Sequence, residues 1–126
     1  MSIHTFPFTI AYADTDAAGI VYHARYLEIA ERARMNWLKG NEPPAGDLGF
    51  VIKEMTVKYL RALRVWDEIT VETSATGIGG ASITVEQKMM KDGELYAVLT
   101  GTAAYLGANM KPKRIPENII KRITNG

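Results

Sequence analysis

Apolar residues alternate along the first dozen positions. Phe6, Phe8, Ile10 and Tyr12 share one side of the stretch Thr5 to Tyr12, which predicts an opening strand. The period then lengthens. Tyr22, Tyr26, Ile29, Ala33 and Trp37 recur at spacings of three or four, with Ala30 beside them. This predicts a helix from about Tyr22 to Lys39, roughly 16 residues or about 24 Å long. Arg25, Glu28, Arg32 and Lys39 fall on its polar side, with Glu28 and Arg32 as a favourable pair one turn apart. Gly40 is a suitable stop. Asn41 to Gly49, containing Pro43-Pro44, reads as a loop.

Beyond the loop the period is that of strands. Phe50 to Leu60 is rich in β-branched and aromatic residues. Ile69, Val71 and Thr73 alternate with Thr70, Glu72 and Ser74. Ile83, Val85 and Met89 alternate with Thr84, Glu86 and Lys88. Asp92-Gly93 is a strong hairpin signal. Leu95 to Leu106 is apolar on both sides, as expected of a central strand. Met110 to Pro116 is a polar crossing, and Ile119, Ile120 and Ile123 mark a short last helix. Strand, helix, then four strands joined mostly by tight turns predicts an α+β domain spanning residues 1–126, an antiparallel sheet against one helix. One helix covers only part of one face, so a partner chain is expected to protect the remaining edge and surface.

Composition narrows the function classes. At 126 residues and 47% hydrophobic, the chain has material for one real core, and no run reaches the length of a membrane span. No basic-then-apolar leader opens the sequence. Cysteine is absent, which excludes disulfides, thiolate zinc sites and a Cys nucleophile, and agrees with a cytoplasmic protein. A net charge of +1 gives no reason to expect nucleic acid. The one dense basic segment is Lys111, Lys113 and Arg114, continued by Lys121 and Arg122. A solvated surface is its ordinary reading, and a small phosphate-bearing ligand the sharper one.

The stretch Asp14-Thr15-Asp16-Ala17-Ala18-Gly19-Ile20-Val21-Tyr22-His23 carries most of the chemistry. Two carboxylates sit in a turn just before the predicted helix. A carboxylate there faces unpaired backbone N–H groups and the positive end of the helix dipole. The arrangement offers a base for water and donors for an oxyanion. Asp-Thr-Asp is also ordinary turn chemistry. Tyr12 and His23, which flank the turn, shift the balance toward function. Other sites fail on spacing. Gly80-Ala81-Ser82-Ile83-Thr84 lacks the closing glycine of a nucleophile elbow. Gly77-Ile78-Gly79-Gly80 is not followed by a helix pattern. An EF-hand opening at Asp14 would need Glu where Arg25 stands. With only His4 and His23, a metal site is not expected.

Tyr12-x-Asp-Thr-Asp16-x-x-Gly-Ile-Val-Tyr-His23, followed by Tyr26 and Glu31-Arg32-Ala33-Arg34, resembles the hotdog-fold acyl-CoA thioesterases. The likeness is strongest to the bacterial Tol-Pal-associated acyl-CoA thioesterases, kin to 4-hydroxybenzoyl-CoA thioesterase. It continues through Lys53-x-Met55-Thr56-Val57-x-Tyr59 and Met110-Lys111-Pro112-x-Arg114-x-Ile-Pro116, almost the whole chain. The resemblance implies a hotdog fold: a five-stranded antiparallel sheet wrapped around one long helix. It implies homodimers with a continuous sheet, or homotetramers, and active sites at the subunit interface. Asp16 is the matching acid, as general base or as nucleophile, with His23 and Tyr12 as the matching histidine and tyrosine. Asp14 matches a position that is usually acidic and not catalytic, and Ala18 stands where glycine is common. Backbone N–H groups around Tyr22 and His23 are the expected oxyanion donors, and Tyr22, Lys111, Lys113 and Arg114 the expected substrate contacts. The substrate is an acyl-CoA or an acyl carrier protein thioester, with no cofactor, metal, nucleic acid or membrane insertion. A hotdog-fold hydratase or dehydratase is the rival enzyme, against which the Asp-Thr-Asp-x-x-Gly turn speaks. A non-catalytic acyl-CoA-binding domain is the rival binding module, against which Asp16 and His23 speak.

Overall fold

The computed structural model describes residues 2–125. In chain order it contains β1 (His4–Thr9), a 3-10 turn (Tyr12–Asp14), α1 (Arg25–Trp37), β2 (Gly49–Tyr59), β3 (Glu68–Ile78), β4 (Ser82–Lys91), β5 (Glu94–Leu106) and α2 (Glu117–Asn125). The strands form one five-stranded sheet in the order β1-β3-β4-β5-β2, every neighbouring pair antiparallel. The architecture is therefore α+β, as the order of periods predicts. The β4–β5 hairpin turns at Asp92 and Gly93, with φ of 50° and 77°, the left-handed pair that an Asp-Gly turn supplies.

Three details differ from the sequence reading. First, α1 has 13 residues rather than roughly 16 and begins at Arg25. The Tyr22 amide is drawn away to the Asp14 carbonyl (3.0 Å), and the His23 carbonyl accepts the Tyr59 hydroxyl (2.7 Å), so residues 22–24 form a turn. Gly40, at φ 83°, closes the far end as expected. Second, the opening strand stops at Thr9, and Tyr12 stands exposed in the 3-10 turn instead of joining the core face. Third, β5 is an interior strand whose two sides differ in burial. Ala97, Leu99, Ala103 and Tyr105 are buried on one face, while the other carries half-buried Val98, Ala104 and Leu106 with Thr100 and Thr102 between them.

The core lies where α1 meets the inner sheet face. Tyr26, Ile29, Ala30 and Ala33 pack on Ile69, Val71, Met89 and Leu99. Trp37 packs with Tyr105 and with Ile119 and Ile123 of α2. Burying an aliphatic side chain of this size stabilises the fold by about 1.5–3 kcal/mol. Between the clusters sits a polar layer. The fully buried Gln87 donates to the Ala30 carbonyl (2.9 Å) and the Thr73 hydroxyl (3.0 Å), and accepts from the Arg34 guanidinium (3.0 Å). Each partner is satisfied, so this layer fixes the rotation of α1 on the sheet without leaving an orphaned polar group.

At the end of β5 the buried Tyr105 hydroxyl donates to Asp47 (2.8 Å), which also holds Lys113 (2.8 Å). Burial, and then the hydrogen bond to Asp47, push the Tyr105 phenol up to about 12. An unfolded tyrosine ionises near 10, so above that pH the unfolded chain releases a proton that the folded chain keeps. The contribution of Tyr105 is thus complete below about pH 10 and lost as pH rises toward about 12. Thermal melts of the native chain and Tyr105→Phe should show a stability gap that narrows across this window. A gap independent of pH would rule the coupling out.

Candidate active site

After Ile10 the chain enters the Asp-Thr-Asp turn, and its two acids receive different environments. Asp14 is buried at 8% exposure. Its carboxylate accepts the Ala11 amide (2.8 Å) and faces the Arg25 guanidinium (3.5 Å). Arg25 also donates to the Ala13 carbonyl (2.6 Å) and pairs with Glu28. Asp14 is therefore the brace of the turn. Asp16 stands at the exposed tip. Its Oδ1 accepts the Ala18 amide (2.8 Å), an Asx turn, and its backbone closes a small hairpin with Gly19 and Ile20. Gly19 lies at φ 80°, a conformation that suits glycine. Oδ2 has no protein partner among the described residues and remains open to accept a proton.

Asp16 and His23 line one cleft of about 320 Å³, together with Ile20, Val21, Tyr26, Tyr59, Leu60, Arg61 and Ala62. Tyr59 braces the wall. Its hydroxyl holds the His23 carbonyl, and its ring meets Tyr26 edge-on at 4.9 Å. Burial raises the Tyr26 phenol above its ordinary range, which keeps it neutral. The start of α1 has Ala24 as a cap residue with no side-chain cap. The His23 and Ala24 amides donate to no backbone or side-chain acceptor among the described residues. The expected pair of oxyanion donors around Tyr22 and His23 is thus corrected by one position. Tyr22 N–H is spent on Asp14, and the open amides are those of His23 and Ala24. A carboxylate in a cleft that adjoins unpaired amides at a helix start can activate water and stabilise a developing oxyanion. Larger grooves of about 770 Å³ over β1 and β3 and about 1070 Å³ beside α1 contain neither a histidine nor the helix start.

The remaining expected site residues lie elsewhere. Tyr22 packs on the His23 ring (4.4 Å between centroids) and is not on the cleft wall. Tyr12 is also off that wall and meets Trp66 edge-on at 6.0 Å. Lys111, Lys113 and Arg114 follow the Leu106 end of β5, which pairs with Gly49, whereas the cleft adjoins Tyr59, which pairs with Ala97. Nine residues of strand separate the two ends, about 30 Å. The basic segment does not reach the cleft of its own chain, and Lys113 is engaged by Asp47. Tyr59 and Arg61 are the cleft residues that sequence periodicity did not single out as functional. Tyr59 carried one signal, its place in the Lys53–Tyr59 block. No cluster of three or more metal-ligating side chains occurs among the described residues, and no helix among them is long and apolar enough to cross a membrane.

A family model, the thioesterase-like superfamily, matches residues 10–123. The acyl-CoA thioesterase YbgC of Haemophilus influenzae is 34% identical over 122 residues, covering 91% of this chain and 90% of that protein. Among solved structures, a probable thioesterase from Bartonella henselae superposes with a TM-score of 0.82 at 30% identity, over 92% of this chain and all of that one. A thioesterase from Thermus thermophilus, solved with coenzyme A and zinc, has a TM-score of 0.84 at 29% identity, over 96% of this chain and 91% of that one.

Proposed function

The chain belongs to the thioesterase-like superfamily and is an acyl-CoA thioester hydrolase, and from that premise we propose that Asp16 is the general base that activates water in the cleft. One observation carries the assignment: Asp16, with its Oδ2 open, and His23 line one cleft, and the unpaired His23 and Ala24 amides lie at the helix start that adjoins it. The thioester carbonyl oxygen sits at the two amides. Asp16 takes a proton from water as the water oxygen attacks the carbonyl carbon. The tetrahedral intermediate then collapses, and the coenzyme A thiolate leaves. Because thiolate is a fair leaving group, orientation, base and oxyanion donors suffice. One such donor is worth about 3 kcal/mol in the transition state. His23, on the cleft wall, supplies the proton that the departing sulfur needs.

The reading includes a hotdog architecture, with the sheet curled around α1, and a homodimer joined along β2. Antiparallel pairing of two β2 strands about a two-fold axis sets the Gly49 end of one beside the Tyr59 end of the other. In that arrangement Lys111 and Arg114 of the partner subunit approach the cleft and meet the pyrophosphate of coenzyme A. Free-thiol release from a panel of acyl-CoAs and acyl carrier protein thioesters tests the function. Hydrolysis releases thiol, a hydratase would alter the acyl group without releasing it, and a binding domain would do neither. In the same assay, replacing Lys111, Lys113 and Arg114 together by Ala should raise KM more than it lowers kcat. An unchanged KM would place the phosphates elsewhere.

A further inference from the structure

Two exposed aromatic rings next to the active-site turn lie outside the core and off the cleft wall. Tyr12 is 71% exposed and Trp66 69%, and they meet edge to face. Trp66 lies at φ 75°, a conformation that suits glycine or asparagine and that a bulky side chain rarely adopts. The turn that holds it is tightly fixed. The Trp66 amide donates to Ile10 (2.8 Å), the Asp67 amide to the Arg64 carbonyl (3.1 Å), and the Arg64 amide to the Asp67 carboxylate (2.8 Å). The fold thus presents an indole to solvent from a rigid position.

The surroundings say what would use it. Arg64 is exposed and forms no ion pair among the described residues. Asp67, the acid of the turn, is offset by Lys91 at 3.1 Å. Arg64 also bridges Ile20, whose carbonyl accepts the Asp16 amide. Asp16 and Arg64 are therefore two strand spacings apart, about 10 Å, with Trp66 about 7 Å further along the chain. An extended pantetheine arm leaving the cleft reaches that far. An aromatic face binds a purine ring by stacking, and a free guanidinium binds phosphate.

We propose that Trp66 and Tyr12, with Arg64, seat the adenosine 3′-phosphate end of coenzyme A. The proposal rests on the acyl-CoA reading and adds where the nucleotide lies. Trp66→Asn removes the indole and leaves a residue that tolerates the left-handed backbone. It should raise KM for acyl-CoA about five- to tenfold or more, the range of one lost stacking contact. The same acyl group on N-acetylcysteamine lacks the nucleotide, so the loss should be confined to the coenzyme A substrate. Arg64→Gln should raise KM for acyl-CoA and not for acyl-dephospho-CoA.

A second readout needs no turnover. The chain has two tryptophans, and Trp37 is buried. Adenosine 3′,5′-bisphosphate should therefore quench the emission of Trp66, pantetheine should not, and Trp66→Asn should abolish the response. Equal losses on both thioesters, no loss on either, or a smaller assembly in sedimentation of Trp66→Asn would each overturn the proposal. Quenching by the bisphosphate without thiol release from any substrate would uphold the seat and sink the hydrolase reading.

Discussion

Asp16→Asn should melt like the native chain and lose at least about 10²-fold in turnover, the scale of a missing general base. Both halves of the expectation follow from its surroundings. Among the described residues the single hydrogen bond to the Asp16 side chain comes from the Ala18 amide, and an asparagine carbonyl oxygen accepts it equally well. The exposed tip gives the substitution nothing to unpack. What asparagine lacks is a second oxygen that takes a proton. Asp14→Asn is the contrast. Its carboxylate braces the 3-10 turn through Ala11 and holds Arg25 from a buried position. Asparagine keeps the first contact and weakens the second, at about 1–3 kcal/mol, enough to lower the melting temperature by several degrees. The pair thus separates chemistry from bracing, read by thiol release and thermal melts side by side. Near-native turnover in a well-folded Asp16→Asn chain would end the base assignment.

The resemblance separated the two acids, but the physical difference between them was not legible in spacing or composition, where both belong to one turn. It depends on Arg25 and Ala11 closing around Asp14, contacts set by how the 3-10 turn meets the start of α1. The elements themselves were legible, because β3 and β4 keep a clear alternation, β2 and β5 are rich in strand-forming apolar residues, and Asp92-Gly93 permits one kind of turn. The start of α1 was misplaced for a physical reason. Tyr22 fits the helical spacing, yet its amide finds a better acceptor in Asp14. Tyr12 fits the strand spacing, but the chain turns before it can join the core. The basic segment was read by composition, which carries no position. Only the β2–β5 register shows that it lies at the far end of the sheet.

No appreciable monomer should be present at low micromolar concentration. The two sheet edges explain why. β1 is six residues long and contains Pro7, both of which blunt an edge against pairing. β2 is 11 residues long, has no proline, and leaves Val51, Ile52 and Tyr59 exposed at 39%, 39% and 48%. Leu48 and Leu60, flanking it, are each 54% exposed. A long edge with apolar residues on both faces is a template for another strand. The outer face of the sheet sets Thr100 and Thr102 on β5 and Glu86 and Lys88 on β4 among Val98, Ala104 and Leu106, so the edge needs covering more than the face. A second copy satisfies both strands at once through an isologous contact. The cleft ends at Tyr59, Leu60 and Arg61, on that same edge, so pairing would also close its open side. Activity per chain should therefore fall on dilution in step with the dimer fraction measured by sedimentation. A fully active monomer would overturn both the β2 interface and a cleft completed across it.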